Sequence, residues 1–307
     1  MPKQTYWKQY DFLYKKHSKK SLFQRLEKEC CKLGLPYTKQ DPRGRKPKFS
    51  PTTYSAFLAL QKIFRHRYRE MELEATLYLS CKADHSTFAR NYAKIPECYI
   101  EKLIGNLVDK EFIYWIADST AISTKIRVER LVGGTRNKVK LRDKFHVVIG
   151  YDPPSYQTFI LGARASDEHL SDSKGVVELI RGKRSNAYFL GDSAYNTYEL
   201  HELVKEVGLF ALMKPDAKGI RKKMSDKAMQ TKLFSKKLYR ELRGVVETVF
   251  GGSTNAGLIL TYAKKEHTRR LDTLMLGVRH NLMASMRLRT IFFMRQTLLE
   301  RVLRILE

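Results

Sequence analysis

FIYWIADST, residues 112–120, and NAYFLGDSAY, residues 186–195, decide how this chain is read. Each is a short apolar run closed by an aspartate, Asp118 in the first and Asp192 in the second. Runs of this length, rich in β-branched and aromatic residues, read as buried strands. A carboxylate set where such a strand stops is costly unless positive charge meets it, and a divalent cation is the usual partner. A third acid, Glu247, lies in YRELRGVVETVF, residues 239–250, whose spacing predicts a helix.

Between the two aspartates the pattern is strand-like and then mixed. RNKVKLRDKFHVVIGY (136–151) and TFILGARAS (158–166) flank a turn at Asp152-Pro153-Pro154 and read as an antiparallel hairpin. SKGVVELIRG (173–182) and TYELHELVKEVG (197–208) read as helices leading into AYFLG and LFALMKP. The order is strand, strand, strand, helix, strand, helix, strand, helix. Meandering strands followed by crossovers predict an α/β fold, a mixed five-stranded sheet flanked by helices.

Residues 1–105 read instead as all helical. Ser21 is the expected cap and Gly34 the expected stop of one helix, and Ser50 followed by Pro51 opens another. PYTKQDPRGRKPKFSP (36–51) reads as an exposed linker. Helical segments over 69–82 and 85–94 follow, the last carrying Arg90 and Lys94 on one face. Three short helices with a basic last one fit a groove-reading helix-turn-helix, and equally a plain packing or dimerisation bundle. The tail from about residue 263 is helical and amphipathic.

Lysine and arginine number 58 against 32 acids, a net charge of +26. Such a balance points to a polynucleotide partner. The four cysteines form no C-x-x-C pair and read as reduced thiols of a cytoplasmic protein. The N-terminus has no apolar core of a signal peptide, and no apolar run reaches membrane-spanning length. Cytoplasmic, nucleoid-associated work is therefore expected, with no membrane partner.

Phosphodiester cleavage needs charge neutralised on both the attacking and the leaving oxygen. Two metal ions roughly 3.5–4 Å apart do both, and hard Mg²⁺ prefers carboxylate oxygens. Asp118, Asp192 and Glu247 would suffice as protein ligands, though each aspartate could instead cap a turn. Tyr239, Arg243 and Glu247 are spaced i, i+4, i+8 and so share one helix face. Arg243 would hold a DNA phosphate beside the glutamate, or form only a surface pair with it. Val245, Val246, Val249 and Phe250 surround Glu247 and predict a position near the core. Arg136, Lys138, Lys140, Arg142 and Lys144 alternate along one strand and suit a phosphate backbone; a lysine-guarded edge strand has the same pattern. The basic 218–240 segment reads as a DNA-contacting insert or a solvated loop. His146 and His169 flank the region as metal-site neighbours or structural histidines.

These residues carry a resemblance to insertion-sequence transposases of the Asp-Asp-Glu type, close to insertion-sequence families four and five, over roughly residues 48–285. ADST, GDSAYNTYEL and RGVVETVFG resemble the three acid-bearing blocks. DKFHVVIGYD, HLSDS (169–173) and HSTFAR are weaker echoes. The chain departs from the pattern in placing Tyr239 four residues, not three, before Arg243, and in having no basic residue after Glu247 until Lys264. The resemblance implies an RNase H-like catalytic core, with Asp118, Asp192 and Glu247 as catalytic residues and ligands of Mg²⁺ or Mn²⁺, two ions in all. It implies binding of terminal inverted repeats and target DNA, 3′-end cleavage and strand transfer. Joining two ends predicts a homodimer. The expected domains are 1–105 for DNA binding or dimerisation, 106–262 for catalysis, and 263–307 as a tail packing on the core. An RNase H-like nuclease without strand transfer, and an inactive DNA-binding remnant, are the alternatives.

Overall fold

The computed structural model describes residues 19–38, 47–132, 135–155, 157–214, 234–255, 263 and 265–285. The chain divides into two compact units, Met1–Tyr99 with Asn281–Glu307, and Ile100–His280.

In the first unit, α1 (Lys19–Leu33), α2 (Pro51–Phe64), α3 (Tyr68–Leu79) and α4 (His85–Tyr92) are helices. Helix α1 begins two residues before Ser21, and Gly34 follows its end at φ +83°, a left-handed conformation that glycine adopts without penalty. Ser50 caps α2 by accepting from the Thr53 amide at 3.1 Å, with Pro51 in the first turn. The core is aromatic. Phe23 of α1 stacks on Phe57 of α2 at 4.2 Å between centroids, and Phe88 of α4 meets Phe57 edge-on at 5.7 Å.

The second unit is built on a five-stranded sheet of order β3-β2-β1-β4-β5. Its strands are β1 (Tyr114–Val132), β2 (Thr135–Asp152), β3 (Gln157–Asp167), β4 (Tyr188–Gly191) and β5 (Phe210–Met213). Strands β1, β2 and β3 form an antiparallel meander, while β4 and β5 run parallel to β1. Helix α5 (Glu97–Asn106) precedes β1, α6 (Asp172–Ile180) links β3 to β4, and α7 (Tyr198–Glu206) links β4 to β5. Helix α8 (Lys236–Asn255) and a helix α9 over residues 266–285 follow. This is the mixed, helix-flanked five-stranded sheet expected. Alternation puts Trp115, Phe189 and Ala211 on one buried face and Ile116 and Leu190 on the other.

One expectation fails in a useful way. Strand β1 does not stop at Asp118 but continues to Val132, paired with β2 from Tyr114↔Tyr151 to Val132↔Thr135. Beyond Asp118 the β-branched residues Ile122 and Thr124 keep the chain extended, and β2 pairs with it on both sides of an irregularity between Ser123 and Arg127. Strand β3 pairs with β2 only as far as Asp143↔Asp167. The outer halves of β1 and β2 therefore form a two-stranded ribbon past the sheet.

Asp143 stands where that ribbon leaves the sheet. Its carboxylate takes two hydrogen bonds from Arg269 of α9, at 3.0 and 3.2 Å, with side-chain exposures of 2% and 8%. A buried bidentate pair is costly to break from one side, because the other charge stays behind. Asp143→Asn is expected to lose about 3 kcal/mol of stability, read from the urea midpoint. A loss below about 0.5 kcal/mol would show that the pair does not hold α9 to the sheet.

Candidate active site

Register alone brings two carboxylates together. Strands β1 and β4 pair in parallel as Tyr114↔Tyr188, Trp115↔Phe189 and Ile116↔Leu190. Asp118 and Asp192 each lie two residues past the last pair, so they stand level on adjacent strands. Asp118 Oδ1 accepts from the Ser119 amide at 2.8 Å. Asp192 Oδ1 accepts from the Ala194 amide, also at 2.8 Å, and caps the single turn Ser193–Tyr195. Only Asp192 takes the capping role, which coexists with the juxtaposition because the cap engages one oxygen; Asp118 lies inside β1, with no turn to cap.

Helix α8 forms the other wall. Leu242, Val246 and Val249, one stripe at helical spacing, are buried, and the first two meet Ile116 and Leu190 in a cleft that Asp118, Asp192, Tyr239 and Arg243 also line. The Arg243 guanidinium is close enough to favour the ionised form of Asp118. Glu247 does not lie near the core. Its side chain is 71% exposed, and its contact with Arg243 is a loose 3.6 Å surface pair. The valines around it in sequence sit on the neighbouring stripe of the helix, so they say nothing about its own burial. Tyr239 and Arg243 thus share the cleft with both aspartates, while Glu247 follows one turn beyond Arg243.

Burial pushes the Asp118 carboxyl up to about 6. The Ser119 amide opposes that shift, the negative charge of Asp192 adds to it, Arg243 opposes it, and a fourth acid, Asp172, adds again. Asp172 opens α6. Its Oδ1 accepts from the Ser119 hydroxyl, lies 2.7 Å from Lys144 Nζ and 3.9 Å from His146 Nδ1. Sequence reasoning had Lys144, His146 and the HLSDS echo only as separate fragments, without Asp172 as a site residue. His146 is fully buried and held neutral, its pKa pushed down to about 4 by burial, with Nε2 2.9 Å from Ser166 Oγ. Helix α6 approaches this ring so closely that a Cβ on Gly175 would sit 2.3 Å from Nδ1. His169 is exposed beside Glu168 and takes no part.

A model of the transposase DDE domain family matches residues 116–282, which include Asp118, Asp192 and Glu247. The chain belongs to the DDE transposase family. Members of this family are metal-dependent nucleases and strand transferases, generally served by divalent ions. Among solved structures, one similar to this chain is the cryo-EM structure of the piggyBac transposase synaptic complex with hairpin DNA, at 9% identity and TM-score 0.37, over 86% of this chain and 72% of that one. No curated protein matches the sequence.

The donor set of this DDE transposase fits a hard divalent cation. Asp118 and Asp192 are oxygen ligands of like charge in a half-buried cleft, and a cation relieves both repulsion and desolvation. The buried Tyr195 hydroxyl lies beside Ser119 in the field of Asp118, Asp172 and Asp192, a concentration of negative charge that a cation would balance. Asp118, Asp192 and Glu247 do not converge within 4.8 Å; among the described residues the cluster that does is Glu72, Asp84 and His85. That cluster is already engaged, Glu72 with Lys82 at 2.9 Å and Asp84 with the Ser86 amide at 2.8 Å.

The residues expected on DNA are scattered differently. Lys138 and Arg142 are exposed on the ribbon, as is Arg127 opposite Lys140. The side chains of Arg136 and Lys140, and residues 218–233 of the basic 218–240 segment, lie outside the described residues. Lys144 is turned inward to Asp172, 20% exposed. Arg90 is exposed on α4, its guanidinium 2.8 Å from Ser86 Oγ. Among the described residues no helix is long and apolar enough to cross a membrane.

The raised pKa of Asp118 has a measurable sign. Its folded value lies above the unfolded one, so between roughly pH 4 and 6 the folded chain takes up a proton that the unfolded chain does not. Burial of the charge therefore costs stability above that window and nothing below it. In metal-free buffer, Asp118→Asn is expected to be more stable than the parent by on the order of 2–3 kcal/mol at about pH 8. The margin should shrink as the pH falls through about 6. A variant less stable than the parent at every pH would show that Asp118 is not strained by its site.

Proposed function

We propose that this chain is the transposase of an insertion sequence. It binds the terminal inverted repeats of its element as a homodimer at the nucleoid, cleaves their 3′ ends and transfers them to target DNA. The observation that carries the reading is the level pairing of Asp118 and Asp192 at the mouth of a cleft whose far wall presents Tyr239 and Arg243. Residues 1–105 serve DNA binding and dimerisation, 106–262 catalysis, and 263–307 form a tail on the core.

Asp118, Asp192 and Glu247 would hold Mg²⁺ or Mn²⁺, two ions in all, which would supply charge neutralisation for phosphodiester cleavage. Asp118 and Asp192 meet the reacting phosphate from the sheet. Glu247, exposed in the metal-free fold, would complete the set as the third ligand by turning from its loose pair with Arg243 toward the cleft. Arg243 pairs with a phosphate oxygen next to the scissile bond and Tyr239 donates to the backbone beside it. In the first step a water oxygen bonds to phosphorus and the 3′ oxygen leaves, taking up a proton. In the second, that 3′ hydroxyl attacks a target phosphodiester and a new 3′ oxygen leaves. One bond forms and one breaks each time, so joining needs no external energy source.

The ribbon holds the backbone that leads into this cleft. Arg136, Lys138, Lys140 and Arg142 lie on the half of β2 that projects past the sheet, with Lys144 at its root, and a two-stranded ribbon is narrow enough for the major groove. Arg90 gives α4 a contact of its own on the repeat.

The test is cleavage of a plasmid carrying the gene's flanking DNA in Mg²⁺. Asp118→Asn, Asp192→Asn and Glu247→Gln are each expected to slow cleavage about a thousandfold or more, on the order of 4 kcal/mol of barrier. Affinity for repeat DNA should stay within about twofold, since no phosphate contact is removed. Full activity in any one variant removes that acid from the site. Ends cut but never joined would make the chain a nuclease, and binding without cutting in the parent would make it a remnant.

A further inference from the structure

The mechanism above uses three acids, yet a fourth is wired to the first. Asp172 stands at the start of α6, where the helix dipole favours a negative charge. Ser119 follows Asp118 on β1. Its amide holds Asp118 Oδ1 at 2.8 Å, while its hydroxyl donates to Asp172 Oδ1. That same Oδ1 lies 2.7 Å from Lys144 Nζ, and Lys144 also donates to the Leu170 carbonyl at 3.2 Å. Lys144 is on β2, across the register step Ala121↔Lys144 from β1. Three elements, β1, β2 and α6, are thereby joined at one carboxylate. The joint is tight, since Gly175, three residues on in α6, leaves the His146 ring no room for a Cβ.

We infer that Asp172 is a positioning residue for Asp118, acting through Ser119 and itself fixed by Lys144. It locks the Ser119 side chain, and the locked residue aims its amide at the Asp118 carboxylate. Partners of this second rank, which orient a ligand rather than touch the metal, typically matter by 10–100-fold in metal affinity or activity. The inference rests on the transposase reading, which makes Asp118 a ligand, and adds a residue that reading does not contain.

Two readouts test it, one independent of catalysis. Calorimetric titration with Mn²⁺ in the absence of DNA should show Asp172→Asn binding about tenfold more weakly than the parent. Single-turnover cleavage should fall by about ten- to a hundredfold, with the dissociation constant for repeat DNA unchanged within about twofold. Ser119→Ala should reproduce both losses, and Asp172→Asn combined with Ser119→Ala should be no worse than either alone, because both act along one path. A merely structural Asp172 would lower thermal stability and leave Mn²⁺ affinity and the cleavage rate of the folded fraction untouched. That result, or losses that multiply in the double variant, overturns the inference. If Asp172→Asn does not fold, Ser119→Ala, which removes one hydroxyl, decides on the same two readouts. A parent chain that neither binds Mn²⁺ nor cuts sinks the transposase reading itself. A parent that does both while the two variants match it sinks the positioning role alone.

Discussion

Parallel pairing of β1 with β4 is the constraint from which the rest of the catalytic unit follows. It sets Asp118 and Asp192 at one level on neighbouring strands, which is a repulsive arrangement in a half-buried place. Everything around them moderates that repulsion. Arg243 comes from α8, backbone amides of Ser119 and Ala194 each take one oxygen, and β4 ends at Gly191 so that solvent reaches the pair. The sheet could relieve the strain fully by neutralising Asp118 with a direct partner. It does not, and the Asp118 carboxyl stays raised to about 6.

That arrangement explains why Tyr195 and Gly191 are as they are. Tyr195 is buried directly against Gly191, whose Cβ, if present, would sit 2.8 Å from the Cβ of the tyrosine. The glycine therefore allows the turn after β4 to fold back under its own aspartate. With the turn in place, the Tyr195 hydroxyl lies beside Ser119 and among three acids, whose negative charge adds to burial in keeping it protonated.

Much of this was legible in the sequence because burial leaves a one-dimensional trace. The runs before Asp118 and Asp192 had to be strands, since neither is long enough for a helix of similar apolarity, and the strand-helix alternation after β3 fixed the parallel half of the sheet. Two things did not show. The extension of β1 past Asp118 was hidden because its outer part is polar and two-stranded, so it lacks the apolar signature of a buried strand. The exposure of Glu247 was hidden because apolar neighbours in sequence are 100° apart on a helix, and only Leu242, Val246 and Val249 share the buried stripe. Asp172 was the harder case. Its partners Ser119 and Lys144 are far away in sequence, and an acid at a helix start has an ordinary explanation as a dipole partner.

Lys144 shows how a charge pattern can be right in sum and wrong in detail. It ends a regular run of alternating basic residues, so periodicity assigns it to the same surface as Lys138 and Arg142. The face is shared, but the environment changes along the strand. Where β2 is flanked only by β1, Lys138 and Arg142 meet solvent, whereas Lys144 lies on the stretch that β3 also pairs, with α6 beside it. One stripe thus serves two purposes, and the change falls at Asp143, where β3 ends and Arg269 anchors the sheet. Lys138 and Arg142, exposed to solvent, carry charge that salt screens beyond about a Debye length. Lys144, less exposed and paired at 2.7 Å, is screened far less and acts on the geometry of the site instead. Distance from the sheet edge therefore sorts Lys138 and Arg142, which face solvent, from Lys144, which is held by Asp172.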